Sequence, residues 1–268
     1  MRLSIATWNI NSVRLRIGLV ARYLEERRPD VLCLQETKCP DGQFPTAEFH
    51  KLGYKHVAIN GQKGYHGVAV ISKAPILAAT PREFCAKGDS RHLHVTLGGK
   101  AAGLGIHNFY VPAGGDEPDP AINDKFAHKL AFLDEMTALF SGPRDAARRE
   151  ILVGDLNIAP LEHDVWSHKA LLGVVSHTPI EVEKLGQVQA AGQWSDALRK
   201  FVPANEKLYT WWSYRAPDWA AANKGRRLDH VWVSPALAGA AKKMEVGRDA
   251  RGWDRPSDHA PVKVDLEL

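Results

Sequence analysis

The distribution of apolar residues along the chain predicts many short strands and few helices. Runs of β-branched and other apolar residues alternate with segments rich in Gly, Pro, Asn and Asp, a pattern typical of strands separated by turns. Strands are predicted at 3–10, 31–35, 54–59, 67–72, 76–84, 92–98, 103–111, 150–157, 228–234 and 259–268, with a further one near 242–246. The run at 31–35 is apolar throughout, which is typical of a strand buried on both faces.

Two longer segments have helical spacing instead. The first is predicted to begin at a cap formed by Asn11 or Ser12 and to end near Arg28. Its apolar face is expected to contain Leu15, Leu19, Val20 and Leu24. The second covers 123–140, with an apolar face formed by Phe126, Leu130, Leu133 and Met136. A short helix is predicted at 46–52. This order of elements predicts an α/β fold in which two mixed sheets pack together with helices outside, as a single domain over 1–268.

Composition changes this picture little. The 268 residues carry a formal net charge of +4, and the isoelectric point is about 8.9. This basic bias is compatible with a polyanionic partner, but many ordinary enzymes share it. Cys33, Cys39 and Cys85 have no CxxC spacing, which argues against a disulfide framework or a zinc knuckle. The sequence shows neither a leader nor a membrane-spanning stretch, so we expect a cytoplasmic protein without a membrane partner.

Polar side chains stand at the ends of several predicted strands, where a sheet can present them rigidly. These positions are Asn9, Asn11, Glu36, Asn108, Tyr110, Asp155, Asn157, Asp229, Asp258 and His259. Each also has an ordinary structural interpretation, such as a helix cap at Asn11, a salt-bridged strand end at Glu36 or an Asx turn at Asp155. Taken together, however, they form a larger set than strand ends normally carry.

The chemistry of this set indicates a metal-dependent reaction. It contains carboxylates, amides, one imidazole and one phenol, but no cluster of cysteine and histidine that would favour zinc. Carboxylate and water ligands suit Mg²⁺, with Mn²⁺ as the alternative. A divalent ion beside a histidine and amide donors is what phosphodiester hydrolysis requires. The ion stabilises charge on the phosphate, and a carboxylate or histidine prepares the water.

Six motifs in chain order identify a family. The segments WNINSVRLR, LQETK, NFYVP, GDLNIAP, RRLDHVWVS and SDHAPV occur between Trp8 and Val262. With them the chain resembles the exonuclease III family of the endonuclease/exonuclease/phosphatase superfamily. The resemblance implies a four-layered α/β sandwich, in which two mixed β-sheets pack face to face and the site lies at one end of both. It also implies a monomeric, bacterial-type DNA repair enzyme that requires Mg²⁺ or Mn²⁺.

The activities implied by the resemblance all act on double-stranded DNA. They are cleavage at abasic sites, removal of 3′ blocking groups including 3′-phosphate, and 3′-to-5′ exonuclease digestion. Two rival functions remain: another phosphoesterase of the superfamily, acting on phospholipids or inositol phosphates, and a catalytically inactive binding module. The absence of a membrane-binding stretch argues against the first, and the filled catalytic positions argue against the second.

The resemblance further implies roles for individual residues. The metal ligands are expected among Glu36, Asn9, Asp258 and Asp155. The catalytic residues are expected to be Asp155, Asn157, His259, Asp229 and Tyr110. Here Asp155 activates or positions the attacking water with help from Asn157, Tyr110 touches the scissile phosphate, and His259, held by Asp229, binds phosphate. DNA contacts are expected from Asn11, Arg14, Asn108, Trp211, Trp212, His168 and Lys125.

Two departures from the family pattern bear on the substrate. The loop at 114–124 is acidic, which is unusual for a surface facing DNA, and Lys125 and Lys129 are expected to compensate for it. His168 is bulkier than the small residues of strong abasic endonucleases. We hypothesise that it narrows the space for an internal sugar-phosphate and favours 3′-end processing over abasic incision. The alternative is a surface histidine. The alternative function is general abasic-site cleavage as the main activity. Further phosphate contacts are expected from Arg226, Arg227, Arg248, Arg251 and Arg255.

Overall fold

The computed structural model describes residues 1–143, 145 and 147–268, and most of the predicted strands and helices form within a few residues of their expected ends. The strands are β1 Arg2–Asn9, β2 Val31–Gln35, β3 His56–Asn60, β4 Val68–Ser72, β5 Ile76–Pro81, β6 His92–Leu97, β7 Gly105–Tyr110, β8 Glu150–Asp155, β9 Ser195–Asp196, β10 Trp211–Trp212, β11 Gly225–Arg226, β12 Asp229–Val233, β13 Ala241–Val246 and β14 Val262–Glu267. The α-helices are α1 Val13–Arg27, α2 Thr46–Lys51, α3 Asp124–Phe140, α4 His168–Leu171, α5 Pro179–Ala191 and α6 Trp219–Ala222. Short 3₁₀ turns lie at Asp41–Gln43, Gly99–Ala101, Glu162–Asp164, Pro235–Leu237 and Arg248–Gly252.

The two large sheets share one pattern of parallel and antiparallel pairing. Sheet 1 has the strand order β13-β14-β1-β2-β4-β3, and sheet 2 has the order β9-β12-β8-β7-β6-β5. In each sheet a central strand pairs in parallel with one neighbour, β1 with β2 and β8 with β7, while the other pairings are antiparallel. The two strands of each parallel pair run in the same direction, so their carboxyl ends lie side by side. Polar residues follow both strands there.

The core has a layered arrangement that follows from the alternation of side chains along the strands. On β8, Ile151 and Val153 face sheet 1, whereas Leu152 faces the helices outside sheet 2. Helices α1 and α2 cover the outer face of sheet 1, and α3 and α5 cover that of sheet 2. Helix, sheet, sheet and helix make four layers, which confirms the predicted sandwich.

Two details of the first helix differ from prediction. Neither Asn11 nor Ser12 caps it with a side-chain bond, and Ser12 has a φ of 87°. Leu15 is exposed on the opposite side from Val20 and Leu24, which are buried against sheet 1. The apolar face was misassigned because the helix is kinked at Arg16, where φ is −117° and ψ is 19°, so the helical spacing does not carry from Leu15 to Val20. Among the described residues, no helix combines the length and apolarity that crossing a membrane requires.

Candidate active site

Polar residues from both sheets meet where the two parallel strand pairs end. Asn9 and Glu36 come from sheet 1, and Tyr110 and Asp155 come from sheet 2. The Tyr110 hydroxyl donates to Glu36 Oε1 across 2.7 Å, and Asn9 Nδ2 donates to Asp155 Oδ2 across 2.8 Å. These bonds join sheets whose strands are far apart in the sequence. The strand tips therefore converge on one site, as their shared position on the two sheets predicts.

Asn9 holds two carboxylates in place. Its Nδ2 donates to Glu36 Oε1 at 3.0 Å as well as to Asp155, while its Oδ1 accepts the backbone N–H of Asn11 at 3.1 Å. These three partners fix the amide orientation. The amide oxygen has two lone pairs and uses one of them for Asn11, so the role of Asn9 as a metal ligand stays a prediction. Asn9 also positions the two carboxylates.

Glu36 stays ionised despite its burial. Burial favours the neutral acid, but Lys38 and the hydrogen bonds from Asn9 and Tyr110 outweigh it and lower the pKa of Glu36. Lys38 Nζ lies 2.9 Å from Glu36 Oε2. The backbone of Glu36 is left-handed, with φ at 48°, an uncommon conformation that recurs at functional sites. The chain thus keeps a charged carboxylate at the rim of the site.

Asp155 lies between amide donors and a histidine. Asn157 donates to both of its oxygens, from the backbone N–H to Oδ1 at 3.0 Å and from Nδ2 to Oδ2 at 3.2 Å. His259 Nε2 lies 3.6 Å from Asp155 Oδ2. Burial raises the pKa of Asp155 to about 7, and Asp229 and Glu36 add to the shift while His259 opposes it. This carboxylate can therefore exchange a proton near neutral pH.

His259 is held in one orientation by Asp229. The imidazole Nδ1 lies 2.8 Å from Asp229 Oδ2, which also accepts the Thr210 hydroxyl at 2.6 Å. Burial alone would lower the pKa of His259, but Asp229 and Asp155 outweigh it and raise the pKa to about 10. The imidazole is a cation at neutral pH, with Nε2 directed toward Asp155. The predicted Asp229–His259 pair is present in the structure.

Asp258 occupies another part of the same site. Its Oδ2 accepts the Trp211 indole N–H at 2.9 Å, and its Oδ1 accepts from Asn11 Nδ2 at 3.4 Å. The Oδ1 of Asn11 in turn accepts from Lys38 Nζ at 2.6 Å. Adjacent side chains at Asp258 and His259 thus point to different partners, one toward Trp211 and one toward Asp229.

A cleft of about 760 Å³ opens above these residues. Glu36, Tyr110, Asp155, Asp258 and His259 lie in its floor and walls together with the apolar side chains of Trp166, Trp211 and Leu228. Arg215, Lys224 and Arg226 add positive charge to its lining. The cleft therefore combines ionised groups, an aromatic wall and basic residues, which suits a ligand with both phosphate and sugar parts.

The residues present fit a hard divalent cation. Glu36, Asp155 and Asp258 supply carboxylate oxygens at one cleft, and neither cysteine nor an additional histidine competes with them there. Such oxygen-rich sets suit Mg²⁺ or Mn²⁺. The buried group of Asp155, Asp229 and His259 also has ligand-like spacing. The Nδ1 of His259 is already engaged by Asp229, however, so this group is better described as one hydrogen-bonded pair, Asp229 and His259, beside the charge of Asp155.

Comparison with known proteins agrees with this geometry. A family model described as the Endonuclease/Exonuclease/phosphatase family matches residues 6–259. The chain belongs to this family. It is 29% identical over 270 residues to Exodeoxyribonuclease III of Haemophilus influenzae, covering 97% of this chain and 98% of the relative.

Two solved structures of the family show how closely the fold matches. One is an AP endonuclease from Archaeoglobus fulgidus, with a TM-score of 0.90 and 31% identity. The other is a 3′ phosphatase from Neisseria bound to product DNA hairpin, with a TM-score of 0.89 and 30% identity. Each comparison covers 99% of this chain and 100% of the other chain. The match therefore extends over the whole sandwich as well as the motifs.

One predicted DNA contact, Asn108, lies in the core instead. Asn108 is completely buried, donates to the carbonyls of Leu34 and Ala69 and accepts from Gln35 Nε2 at 2.7 Å. It joins the two sheets, so the prediction that it binds DNA is wrong. Trp212 is only 3% exposed, packs edge-on against Trp219 and donates to Asn223, but it also lines the cleft, so its DNA contact stays a prediction. Trp211 lines the cleft as well and donates its indole N–H to Asp258.

His168 does not line the cleft as hypothesised. Its Nδ1 lies 2.8 Å from His177 Nε2, and His177 Nδ1 lies 2.6 Å from the carbonyl of Ala159. The cleft wall nearby is formed by Trp166 and Val174. The steric argument for weakened abasic incision therefore has no support from the position of His168.

The predicted basic residues divide into surface and buried groups. Arg14 is exposed and donates to Gln43, and Lys125 is exposed on the first turn of α3 beside Gly115, which lines the cleft. Lys129 is completely buried and pairs with Glu181, so it cannot offset the charge of the acidic loop.

The five arginines near the C-terminal motifs divide in the same way. Arg227 is 1% exposed and binds Asp164 and Asp196, and Arg251 is 5% exposed and donates to the carbonyl of Trp212. Burial rules out the predicted phosphate contacts for these two. Arg226 lines the cleft, whereas Arg248 and Arg255 are exposed outside it.

Three residues that hold the site were not predicted. Thr210 bonds to Asp229, Ser257 Oγ donates to the Asn9 carbonyl at 2.6 Å, and Arg91 lies over the Tyr110 ring at 4.8 Å. The serine stands inside the SDHAPV motif, which marks it out in the sequence. Nothing in the sequence around Thr210 or Arg91 distinguishes either of them, because their partners are brought close only by the fold.

Proposed function

We propose that this chain is a metal-dependent DNA repair phosphodiesterase of exonuclease III type. Its substrates are blocked or ordinary 3′ ends of double-stranded DNA, from which it removes 3′-phosphate and nucleotides. The similar proteins named Exodeoxyribonuclease III and 3′ phosphatase support this assignment. The +4 charge and the basic residues of the cleft suit a polyanionic substrate. We propose that the protein acts as a monomer in the cytoplasm.

The observation that carries the proposal is the position of Asp155. It lies on the cleft, fixed by Asn9 and Asn157, and His259 Nε2 stands 3.6 Å away. A carboxylate with a pKa of about 7 can take a proton from water near neutral pH. The adjacent imidazolium supplies a hydrogen bond and positive charge for a phosphoryl oxygen. The base Asp155 and the positively charged His259 thus face the same small part of the cleft.

Other residues of the site orient the phosphate and hold the base. Tyr110 directs its hydroxyl into the site from sheet 2, and its bond to Glu36 fixes the phenol. Asn157 keeps Asp155 turned toward the cleft, and Asp229 keeps the Nε2 of His259 available. Donors held in place before the reaction need no reorganisation as charge develops on the phosphoryl oxygens.

We propose Mg²⁺ as the cofactor, with Mn²⁺ as a substitute. Glu36, with Asp155 and Asp258, would hold it at the cleft. When bound, the ion supplies charge stabilisation to the phosphate and leaving oxygen. Lys38 neutralises Glu36 when no cation is present, so metal binding would displace that ammonium group.

A second candidate is abasic-site incision as the main activity. The aromatic side chains of Trp166 and Trp211 and the apolar Leu228 form one wall of the 760 Å³ cleft. Such a wall suits a deoxyribose without its base. Moving an abasic nucleotide out of the DNA duplex costs little stacking energy. The similar AP endonuclease from Archaeoglobus fulgidus is consistent with this activity. Both activities would use the same catalytic residues.

The experiment offers the purified chain two labelled duplexes in Mg²⁺, one with a 3′-phosphate at a nick and one with an internal abasic site. We expect phosphate release from the first, loss of all activity in EDTA, and a fall of about 10²–10⁴-fold in Asp155→Asn. Asp254→Asn, an exposed carboxylate nearby, is the matched control and should retain full activity.

The remaining outcomes separate the alternatives. Faster incision of the abasic duplex would make abasic cleavage the main activity. Metal-dependent release of phosphate from inositol phosphates or phospholipid vesicles, with no product from either duplex, would replace DNA as the substrate. No product from any of these substrates would leave a binding module and overturn the proposal.

A further inference from the structure

One wall of the cleft contains a charged side chain that takes no part in the proposed cleavage step. Arg226 lies beside Trp211 and Leu228 in this wall, and its guanidinium lies 5.4 Å from the centroid of the Trp211 ring. Its Nη1 donates to the carbonyl of Val175 at 2.9 Å and to Ser176 Oγ at 2.7 Å. These contacts hold the guanidinium in the wall, where a ligand in the cleft can reach it.

Strand pairing fixes the position of Arg226 relative to the catalytic imidazole. Trp211 pairs with Arg226 between β10 and β11, and it also forms an isolated bridge to His259. Directly paired residues of antiparallel strands direct their side chains to the same face. His259, Trp211 and Arg226 therefore form one row that faces the cleft. At ~4.8 Å between neighbouring strands, the backbones of Arg226 and His259 are roughly 10 Å apart. An anion bound to Arg226 would thus lie beyond a phosphate held at His259.

One edge of the Arg226 guanidinium has two unpaired donors. Arginine has five N–H groups, and those of Nε and Nη2 lie on one edge that can bind both oxygens of a carboxylate. Within the described part of the chain, Nη1 makes the two hydrogen bonds to Val175 and Ser176, whereas Nε and Nη2 have no hydrogen-bond partner. This edge is therefore available to a ligand with two acceptor oxygens.

The charge of Arg226 also has no counter-charge of its own. Burial lowers the pKa of Arg226, and among the described residues only Glu181 opposes this shift. Glu181 is already paired with Lys129 and accepts the backbone N–H of Thr178. A partly buried cation without a counter-ion gains more from an anionic ligand than a fully solvated cation does. The wall therefore favours a ligand that carries a negative charge at this position.

The chemistry of damaged 3′ ends supplies such a ligand. A 3′-phosphate has no group beyond its phosphorus, and an ordinary 3′-terminal nucleotide has a sugar and a base there. A glycolate remnant esterified to the 3′-phosphate instead extends by two carbons and ends in a carboxylate. The two carboxylate oxygens fit the edge formed by Nε and Nη2 of Arg226, and the methylene group fits against the Trp211 ring.

We propose that Arg226 determines specificity for 3′ ends whose phosphate carries a small carboxylate remnant. This inference rests on the proposed function, and the cleavage step is the same. Water attacks the phosphorus, the P–O3′ bond breaks, and O3′ takes up a proton. The DNA keeps a 3′-hydroxyl, and the remnant leaves as a phosphomonoester that still carries its carboxylate. Arg226 contacts only the remnant, so it discriminates between ends without transferring a proton.

The test compares three nicked duplexes in Mg²⁺ that differ only in the 3′ group. The groups are phosphate, phosphoglycolate and 2-hydroxyethyl phosphate, the last of which is neutral beyond the phosphate. We expect a kcat/KM for the glycolate end about 10–100-fold above that for the hydroxyethyl end, because only the carboxylate forms charged hydrogen bonds with the guanidinium. Arg226→Gln removes the charge but keeps an amide donor, and it should remove this preference. Arg226→Lys keeps the charge without the paired donors and should retain part of the preference.

Arg248→Gln is the matched control. The Arg248 guanidinium also lies over a tryptophan, 5.5 Å from the centroid of Trp212, but Arg248 does not line the cleft. This variant should keep the wild-type ratio of the two rates, because a general loss of attraction to DNA lowers both rates equally.

The outcomes separate this inference from the proposed function. Equal rates on the glycolate and hydroxyethyl ends in the wild type, or an unchanged ratio in Arg226→Gln, would overturn the specificity of Arg226. Release of 3′-phosphate in the same assay would then leave the proposed function intact. No product from any of the three duplexes would overturn both.

Discussion

Lys129 donates from Nζ to the backbone carbonyl of Asn157 across 2.8 Å, although its side chain is completely buried between α3 and α5. The same ammonium group pairs with the buried carboxylate of Glu181. Glu181 in turn accepts the backbone N–H groups of Ser176 and Thr178 at the start of α5. One ion pair in the helical layer therefore fixes the backbone that presents Asn157 to Asp155.

Lys129→Met should destabilise the fold by about 3–5 kcal/mol, because it leaves the Glu181 carboxylate buried without a counter-charge. Unfolding in guanidinium chloride, followed by circular dichroism, measures this change. The double variant Lys129→Met/Glu181→Gln removes both charges and should recover part of the loss. It should nevertheless remain less active than the wild type, since Asn157 loses its anchor. An undiminished stability in the single variant would contradict this account.

Asp229→Asn should lower turnover by about 10²–10⁴-fold and change its dependence on pH. Asp229 is the main group that raises the pKa of His259, so its neutralisation moves that pKa down. In the wild type His259 should stay protonated until the pH approaches about 10, and kcat/KM should fall above that value. In the variant the alkaline fall should begin at lower pH.

The pKa of His259 is measured by NMR titration in the wild type and in Asp229→Asn. If Asp229 only supported the fold, its substitution would not change this pKa. Asp254→Asn serves as the matched control and should leave the His259 titration unaltered. An unchanged His259 pKa in Asp229→Asn would show that the pair does not control the charge of the imidazole.

His168→Ser should leave abasic incision within about twofold of the wild-type rate, as surface substitutions usually do. The reason is that His168 packs on His177 outside the cleft lining. Trp211→Ala is the positive control, because it removes part of the cleft wall and the N–H bond to Asp258. Faster incision by His168→Ser would restore the hypothesis that this histidine excludes internal sites.

Acid should destabilise the fold through His230. Burial lowers the pKa of His230 to about 4, against an ordinary value of 6.5, while its Nε2 bonds to the carbonyl of Ile158. Between pH 6.5 and 4, His230 binds a proton in the unfolded chain but stays neutral in the folded chain. The free energy of unfolding therefore falls as the pH falls. The lost stability is about 3 kcal/mol at the lower limit.

His230→Gln keeps a donor for the Ile158 carbonyl but cannot titrate. Thermal unfolding of both proteins at intervals from pH 7 to pH 4 isolates the effect as the difference between the two curves. The curves should run parallel above pH 6.5 and approach each other below it. Parallel curves over the whole range would show that His230 is not the proton acceptor.

The sequence was sufficient to predict the residues that end each strand, because a strand of apolar residues with a polar tip is a local pattern. Glu36 and Asp155 could be found in this way, and His259 by its place just before the last strand. The same pattern gave a wrong prediction for Asn108, which also lies on a strand but points between the sheets toward Gln35. Which face of a strand lies against the other sheet depends on the packing of the sheets, and that information is not local.

The partners of buried charges also cannot be predicted from the local sequence. Lys129 follows an acidic loop and looks like a compensating surface charge, but its partner Glu181 is contributed by a helix about 50 residues away. The aromatic pair at Trp211 and Trp212 is a further case, since both line the cleft but only the hairpin geometry decides which ring is the more exposed. Residue type and spacing identify candidates, while burial and partners decide among them.

The pairing of β1 with β14 has a consequence for how activity is acquired. Sheet 1 joins its earliest strand to its latest, and Asn9 and His259 flank that junction. Asn9 and His259 therefore come together only where the two ends of the chain meet, and β13 also has β14 as its sole partner in sheet 1 among the described strands. The site is complete only when the last strand has been added to the first.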